Sequence, residues 1–392
     1  AWAVADGLIT PLNIDNLLDF QPGPPARWEF LVSAGDSRAV EVQLVAEMVE
    51  GMNITQLFFS RPDVKPEKGR ALEEGKAFSL SVRIDIEDRN FHSETHLDAE
   101  AEQYFINHLS HNDCGFTFKP DENKRLQVVG NGAVFHSELE WCCGVSHPLE
   151  ASRGQSQEGD ACSPGWFEAP LEPGCSASIQ VSAELDCTEP FPLDFQLALK
   201  QDYGSRLKRA LGQFIVQRGN GRTVIAGYPW FLDWGRDTFI TARGLLSAGW
   251  RKEVIEIVRT FARMERGGTL PNSLNGDNDS NRETSDAPLW FSLVVEELGE
   301  DCLNIDVGDN RSLAEVLISI GQGYRDGTEN GVRMDPESGL IWSPSHYTWM
   351  DTNYPAGTPR EGYPVEIQAL WIRLLNQLER LEPNKGWGQL SG

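Results

Sequence analysis

Over residues 39–48, AVEVQLVAEM, apolar and polar side chains alternate with period two. That spacing gives a β-strand one apolar face. The same period runs through 77–87 (AFSLSVRIDIE, with Phe78, Leu80, Val82, Ile84 and Ile86 on one face), 126–136 (LQVVGNGAVFH) and 177–185 (ASIQVSAEL). SRPDVKPEKG and ASRGQSQEGDACSPG separate these stretches and read as turns. A short helical stretch near 98–109 is the one interruption, so residues 1–200 predict an antiparallel β-sandwich.

Near residue 200 the period changes to that of a helix. Leu207, Leu211, Phe214 and Ile215 place a helix over 205–216, and further helices are predicted over 238–248, 252–266, 285–298 and 311–325. Over 365–382, Ile367, Leu370, Trp371, Leu374, Leu378 and Leu381 form one apolar stripe. The connections 267–284 and 331–364 are long, polar and aromatic, as functional loops often are. Trp250 and Trp371 read as core residues. Trp230, Trp234, Trp342 and Trp349 fall among Gly and Pro in loops, where packing explains them less well.

The 392 residues carry 34 basic and 59 acidic side chains, a formal charge of −25. Such a balance argues against nucleic acid as a partner and leaves room for a neutral or cationic ligand. No apolar run approaches membrane-spanning length. The seven cysteines (Cys114, Cys142, Cys143, Cys162, Cys175, Cys187 and Cys302) are odd in number and include no C-x-x-C pair. This favours reduced thiols and a cytoplasmic setting. The pairs His92/His96 and His108/His111 meet no matching Cys or His cluster, so no metal site is expected. No secretory leader is visible, and a start at Ala1 rather than Met is what is expected of a fragment.

GYPWFLDWGRDTFITARGLL, residues 227–246, mixes aromatics with charges ahead of a helix. Buried, Asp233, Arg236 and Asp237 would each need partners. Exposed, Trp230, Phe231 and Trp234 would be wasted. The combination suits a pocket floor, with aromatic faces to stack on sugar rings and charged groups to take hydroxyls. A second candidate is Asp286, where NRETSDAPLWF enters a helix through Pro288. It, or Ser285, could be a plain N-cap. It could also be the protonated carboxyl that an inverting glycosidase sets across the sugar from a second, water-activating carboxylate. A helix N-terminus favours the ionised form, so loop aromatics such as Trp290 are expected to desolvate it. DNDSN resembles the opening of a calcium loop, but Arg282 and Pro288 break that pattern.

Six segments taken together, LGQFIVQR, TVIAGYPWFLDWGRDTFITARGLL, GGTLPNSL, ETSDAPLWF, TWMD and TPREGYPVEIQALW, resemble the bacterial and archaeal glycogen-debranching family, the amylo-α-1,6-glucosidases. The resemblance is strongest over 205–382 and weaker over the N-terminal half. It implies a catalytic (α/α) toroid of twelve helices in six pairs and inverting removal of single α-1,6-linked glucose from glycogen or limit dextrin, without a cofactor. By the same resemblance Asp286 is the acid, Arg236 and Asp237 hold the terminal glucose, and Trp234 walls its subsite. Trp230, Trp290, Asp351, Arg360 and Glu366 line the pocket. The six helices of 201–392 make about half a toroid. The family's general base, a glutamate in a later segment, finds no match here, so this stretch is expected to be inactive by itself. Neither Glu361 nor Glu366 sits in the base's motif, and no transferase domain is visible. A glucoamylase- or trehalase-like α-glucosidase, or a non-catalytic glucan-binding protein, would use the same sugar-holding pair.

Overall fold

The computed structural model describes residues 1–392 apart from 6, 24, 50, 67, 74, 75, 77, 91, 92, 185–201, 277, 353–356, 391 and 392. His92 and Cys187 therefore lie outside the described residues. The chain divides into two compact units, Ala1–Arg209 and Ala210–Gly392. The fold is mixed α and β, with antiparallel sheets in the β-rich first unit. None of the described helices is long and apolar enough to cross a membrane.

Two sheets build the first unit. One orders Val134–Ser146, Glu158–Pro170, Phe78–Arg83, Trp2–Ala5 and Leu8–Pro11 side by side. The other runs from Leu17–Gln21 through Ala26–Ser33, Arg38–Met48, Ile54–Ser60, Ser176–Ser182, Leu126–Asn131 and Gly115–Phe118 to Leu109–Asn112. Along Phe78–Arg83, Phe78, Leu80 and Val82 are buried and the residues between them are not. Leu80, Val82 and Phe167 of the first sheet share a core with Phe30, Val42, Phe59, Val128 and Ile179 of the second. Helix α1 (Ala99–His108), capped by Asp98 on two backbone amides, adds Phe105, stacked on Phe118 at 5.0 Å. Helix α2 is the short Pro148–Ser152.

Two strand expectations need correction. The run 126–136 is two strands in different sheets, because Gly132, at φ +73°, turns the chain between them. A side chain is strained there, and glycine is not. ASRGQSQEGDACSPG is only partly a turn, since from Glu158 onward it belongs to the long strand Glu158–Pro170. Gly159, Ala161, Cys162, Ser163, Pro164 and Gly165 are buried there. A central strand covered on both faces loses its alternation, and small residues hide it further.

In the second unit the helices are α3 (Tyr203–Gly212, which spans the boundary), α4 (Gly235–Ser247), α5 (Arg251–Ala262), α6 (Ala287–Leu298), α7 (Leu313–Asp326) and α8 (Val365–Leu381). Helix α3 stops at Gly212, and Ile215–Arg218 forms a hairpin with Gly221–Val224 where 205–216 predicted continuous helix. Helix α6 packs against α4, α5, α7 and α8. Nine of its twelve residues are buried, as expected of a helix apolar all round. Phe291 meets Phe239 edge-on at 5.4 Å, and Phe239 meets Phe261 at 5.0 Å.

All three rings are fully buried. Phe291→Ala is therefore expected to cost the second unit about 3–5 kcal/mol in denaturant unfolding. A loss below about 1 kcal/mol would mean that this packing does not hold the helices together.

Candidate active site

The N-terminus of α6 carries Asp286, whose residue surface is 1% exposed. It occupies the N-cap position yet makes no capping hydrogen bond with its side chain. Thr284 takes that role, its Oγ1 accepting from the Ala287 amide at 3.3 Å while donating to Asp286 Oδ1 at 2.8 Å. Asp286 Oδ2 accepts from Arg236 Nε at 2.5 Å. Both carboxylate oxygens therefore serve groups outside their own helix.

Arg236 stands in the first turn of α4 and spreads its fork over three partners. Nη1 donates to Asp351 at 3.0 Å and Nη2 to the Thr348 carbonyl at 2.8 Å, besides the Nε contact with Asp286. Gly235 permits this approach. A Cβ there would lie 2.7 Å from the Pro271 carbonyl oxygen and 3.0 Å from Ala287 Cβ. The chain also pairs Asp233 and Trp234 with Leu274 and Ser273, which fixes the entry to α4.

Thr348 links this group to a second ion pair. Its Oγ1 accepts from Arg360 Nη1 at 3.2 Å, and Arg360 grips both oxygens of Glu366, through Nη1 and, at 2.7 Å, through Nη2. Burial pushes the Glu366 carboxyl up, but the Arg360 bonds, its helix-start amide and the charges of Arg360 and Arg236 carry it below its ordinary value. The structure thus joins Asp286, Arg236, Asp351, Arg360 and Glu366 in one chain of contacts.

Asp237, next to Arg236, is half-buried, and no side chain among the described residues donates a hydrogen bond to it. Arg236 pairs with Asp286 and Asp351 rather than with this neighbour. Burial raises the Asp237 carboxyl above its ordinary value; Arg236 and its own amide oppose this, and Asp351 and Asp286 add to it. It is the acceptor left open beside the network. Asp233 differs, being a buried structural anion held by Arg218 through Nε at 2.5 Å and Nη2 at 2.7 Å.

The aromatic candidates are more dispersed. Trp349 is 58% exposed, with the Arg360 guanidinium 5.8 Å from its ring. Trp342 carries Arg333 at 4.1 Å, and Trp290 packs on the core under Arg243 at 5.9 Å. Trp230 and Trp234 are half-buried. A cavity of about 300 Å³ lined by Val295, Glu296, Leu303, Leu317, Gln377 and Arg380 lies at the opposite end of α6. That is roughly 18 Å along the helix from Asp286, and none of the candidate residues lines it.

Several positioning residues escape sequence reasoning. The Ser285 amide and hydroxyl both donate to the Tyr347 carbonyl, Tyr324 donates to the Ser285 carbonyl at 2.8 Å, and Ser343 donates to Ser285 Oγ at 2.8 Å. Asn330 Nδ2 donates to the Arg282 carbonyl at 2.6 Å. Burial, helped by the Asp286 charge, holds the Tyr324 hydroxyl well above its ordinary value, so it remains a donor. The one signal in the sequence was the Thr284-Ser285 pair immediately before Asp286.

The Asp237 environment gives a pH dependence. A carboxyl raised in the folded state supports folding while protonated and opposes it once ionised. Its contribution is present below the ordinary carboxylate value near 3.9 and is lost as pH rises through the shifted one. Asp237→Asn is thus expected to raise stability at pH 7, with the gain shrinking to nothing as pH falls below about 4. Thermal unfolding across that range checks this, and a variant less stable at pH 7 would contradict it.

Residues 209–388 match the family model described as amylo-alpha-1,6-glucosidase, and residues 4–178 match the model described as the glycogen debranching enzyme N terminal. The chain is 28% identical over 235 residues to the glycogen debranching enzyme of Saccharomyces cerevisiae, covering 44% of this chain and 15% of that protein. Among solved structures, a glycosyl hydrolase titled as GH92 family CcMan5 aligns over 97% of this chain and 51% of its own, at 9% identity and a TM-score of 0.35. The heparan sulfate lyase HepC from Pedobacter heparinus aligns over 48% and 24%, at 7% identity and a TM-score of 0.27. Scores this low do not establish a shared fold. The two family models describe the two parts of one kind of protein and between them account for most of the sequence: the chain belongs to the glycogen debranching enzyme family.

Proposed function

We propose that this chain is part of an inverting amylo-α-1,6-glucosidase of bacterial or archaeal type. The bond cleaved joins a single glucose to an α-glucan chain of glycogen or limit dextrin, and Asp286 is the general acid. One observation carries the reading: a buried aspartate at a helix start spends neither oxygen on its helix and is held by a guanidinium and a hydroxyl. An ordinary cap would not be built that way. In the proposed architecture the first unit is a β-sandwich (residues 1–200). Helices α4, α6 and α8, which pack in succession with α5 and α7 beside them, form the inner part of about half a toroid in 201–392.

Asp237, open and half-buried, accepts hydrogen bonds from glucose hydroxyls. Arg236 serves both states. A proton donor cannot remain the anionic half of an ion pair, so the Arg236–Asp286 contact opens before chemistry. The hydroxyls of the entering sugar are acceptors that draw the guanidinium away. Asp286, which takes up a proton from solvent when the pair opens, then protonates the leaving glycosidic oxygen while water attacks from the other side of the ring and gives its proton to a second carboxylate. Glu366 is committed to Arg360 and Glu361 is exposed, so neither is assigned that role. The proposal places the base in the later segment implied by the family, and the chain spans 15% of the length of its yeast relative. Trp349, Trp234 and Trp230 wall the subsite. Six described cysteines are free thiols, which fits a cytoplasmic protein.

Glucose released from a phosphorylase limit dextrin tests the reaction. Asp286→Asn is expected to lower kcat by at least about 100-fold, the low end for general acid catalysis, with glucan binding nearly unchanged. Asp237→Ala should weaken binding and slow turnover together. Cleavage of maltose with isomaltosyl branches left intact would overturn the α-1,6 assignment. Equal, mild losses in the two variants would overturn the residue roles.

A further inference from the structure

The first unit gathers an imidazole and three carboxylates that the proposed reaction does not use. His147, whose side chain is 8% exposed, stands just before α2, and Glu150 lies on that helix. Glu87 and Glu94 come from the loop following Phe78–Arg83. His147 Nε2 is hydrogen-bonded to Glu87 Oε1 at 3.3 Å. A carboxylate only accepts, so Nε2 bears a proton, and as a ligand the neutral ring would present its lone pair at Nδ1. That buried Nδ1 has no hydrogen-bond partner. It faces Glu94 Oε2 at 3.3 Å and Glu150 Oε2 at 3.5 Å, and Glu94 Oε2 is itself buried without a hydrogen bond.

Lone pairs that converge in a buried place repel one another unless something positive lies between them. The other oxygens of Glu87 and Glu150 are already held, since Arg89 donates through Nε to Glu87 Oε2 and through Nη2 to Glu150 Oε1 at 3.0 Å; its Nη1 also lies 3.5 Å from Glu94 Oε2, too far for a hydrogen bond of ordinary length. With the imidazole neutral, as a metal ligand must be, three carboxylates against one guanidinium leave two negative charges, which one divalent cation cancels. The two distances from Nδ1, 3.3 Å to Glu94 and 3.5 Å to Glu150, fit as well, and ligand atoms of Glu87, Glu94 and His147 lie within 4.8 Å of one another. Bonds of about 2.0–2.2 Å at tetrahedral angles set ligand atoms about 3.3–3.5 Å apart. Gly159 leaves room at this place, since a Cβ there would lie 3.1 Å from His147 Cε1 and 3.2 Å from Glu94 Oε2.

We propose that His147 Nδ1, Glu94 and Glu150 bind a divalent transition metal of the zinc type, with Glu87 fixing the imidazole from behind. A nitrogen donor and few oxygens favour zinc over calcium or magnesium. The carboxylate–histidine–metal arrangement is a common way of fixing a ligating ring. Water completes the coordination. The metal ties the loop bearing Glu87 and Glu94 to α2, far apart in sequence, and so acts as a staple of the first unit. The spacing search missed it because only one histidine takes part.

Cobalt(II), titrated into chelator-stripped full chain, is the probe. The expected result is one tight equivalent with the visible band of a low-coordinate nitrogen and oxygen site, lacking the near-ultraviolet thiolate band that cysteines would give. Zinc should displace it and raise the Tm. His147→Gln and Glu94→Gln should abolish the cobalt band and the zinc-induced Tm shift, and Glu87→Gln should weaken binding about 10–100-fold. Far-UV circular dichroism checks that each variant is folded. Should His147→Gln not fold, Glu94→Gln and Gly159→Ala, which puts a methyl beside the ligand atoms, give the same reading. No retained cobalt, a thiolate band, or equal binding by wild type and variants would overturn the site. A Tm rise as large with calcium or magnesium as with zinc would overturn its assignment to a transition metal.

Discussion

The arrangement of the second unit turns on one guanidinium. Asp286 is nearly free of solvent, and an anion there persists only with a partner whose charge and hydrogen bonds replace water. Arg236 supplies both, and its planar fork reaches Asp351 and the Thr348 backbone at the same time. A lysine would bring one compact charge and could not span these three groups. Removing the guanidinium would leave a buried carboxylate unpaired, a loss of about 3–5 kcal/mol in comparable cases. In the proposed reaction, the contact that stabilises the sugar-free protein is also the one that yields before the proton is delivered. The proposed chemistry and the stability of this region therefore draw on the same interaction.

Around that contact the protein has spent its buried polar groups on holding backbone in place. Tyr324 from α7, Ser343 and Asn330 from the loops beyond it, and the Tyr347 carbonyl all bind the segment that leads into α6. Helix starts carry Arg236, Asp237, Asp286 and Glu366, and loops carry Asp351 and Arg360, so each side chain is positioned by a neighbour that is itself fixed. Asp237 is the exception. No side chain among the described residues donates to it, and its own amide and the Arg236 charge offset its burial only in part, as in groups that await a ligand.

Periodicity made the elements legible where one face is buried and the other wet. The stripe from Ile367 to Leu378 announces α8 within a residue of its observed ends, and Phe78, Leu80 and Val82 announce their strand, although it stops at Arg83 and not at residue 87. It failed where both faces are covered, as along Gly159–Gly165, and where one turn residue redirects the chain, as at Gly132. At the site, the motif around Trp234 and the aspartate before Pro288 marked Arg236, Asp237 and Asp286 as special. That Arg236 would hold Asp286 rather than lie open for a hydroxyl was not legible, because a partner fifty positions away is fixed by packing and not by local pattern. Nothing in the local pattern singled out the roles of Thr284 or Tyr324, for the same reason. Among the aromatics, Trp290 and Trp342 each have an arginine over the ring, and Trp349, at 58% exposed, offers the open surface.

The most direct measurement of the central claim is a crystal structure of the Asp286→Asn variant with a branched oligosaccharide bearing one α-1,6-linked glucose. The account expects the branch oxygen about 3 Å from the side chain at 286, within hydrogen-bond reach. It also expects the Arg236 fork and Asp237 on hydroxyls of the terminal ring. A saccharide seated elsewhere, for instance in the cavity beside Leu303, with Arg236 still closed on residue 286 and Asp351, would contradict it.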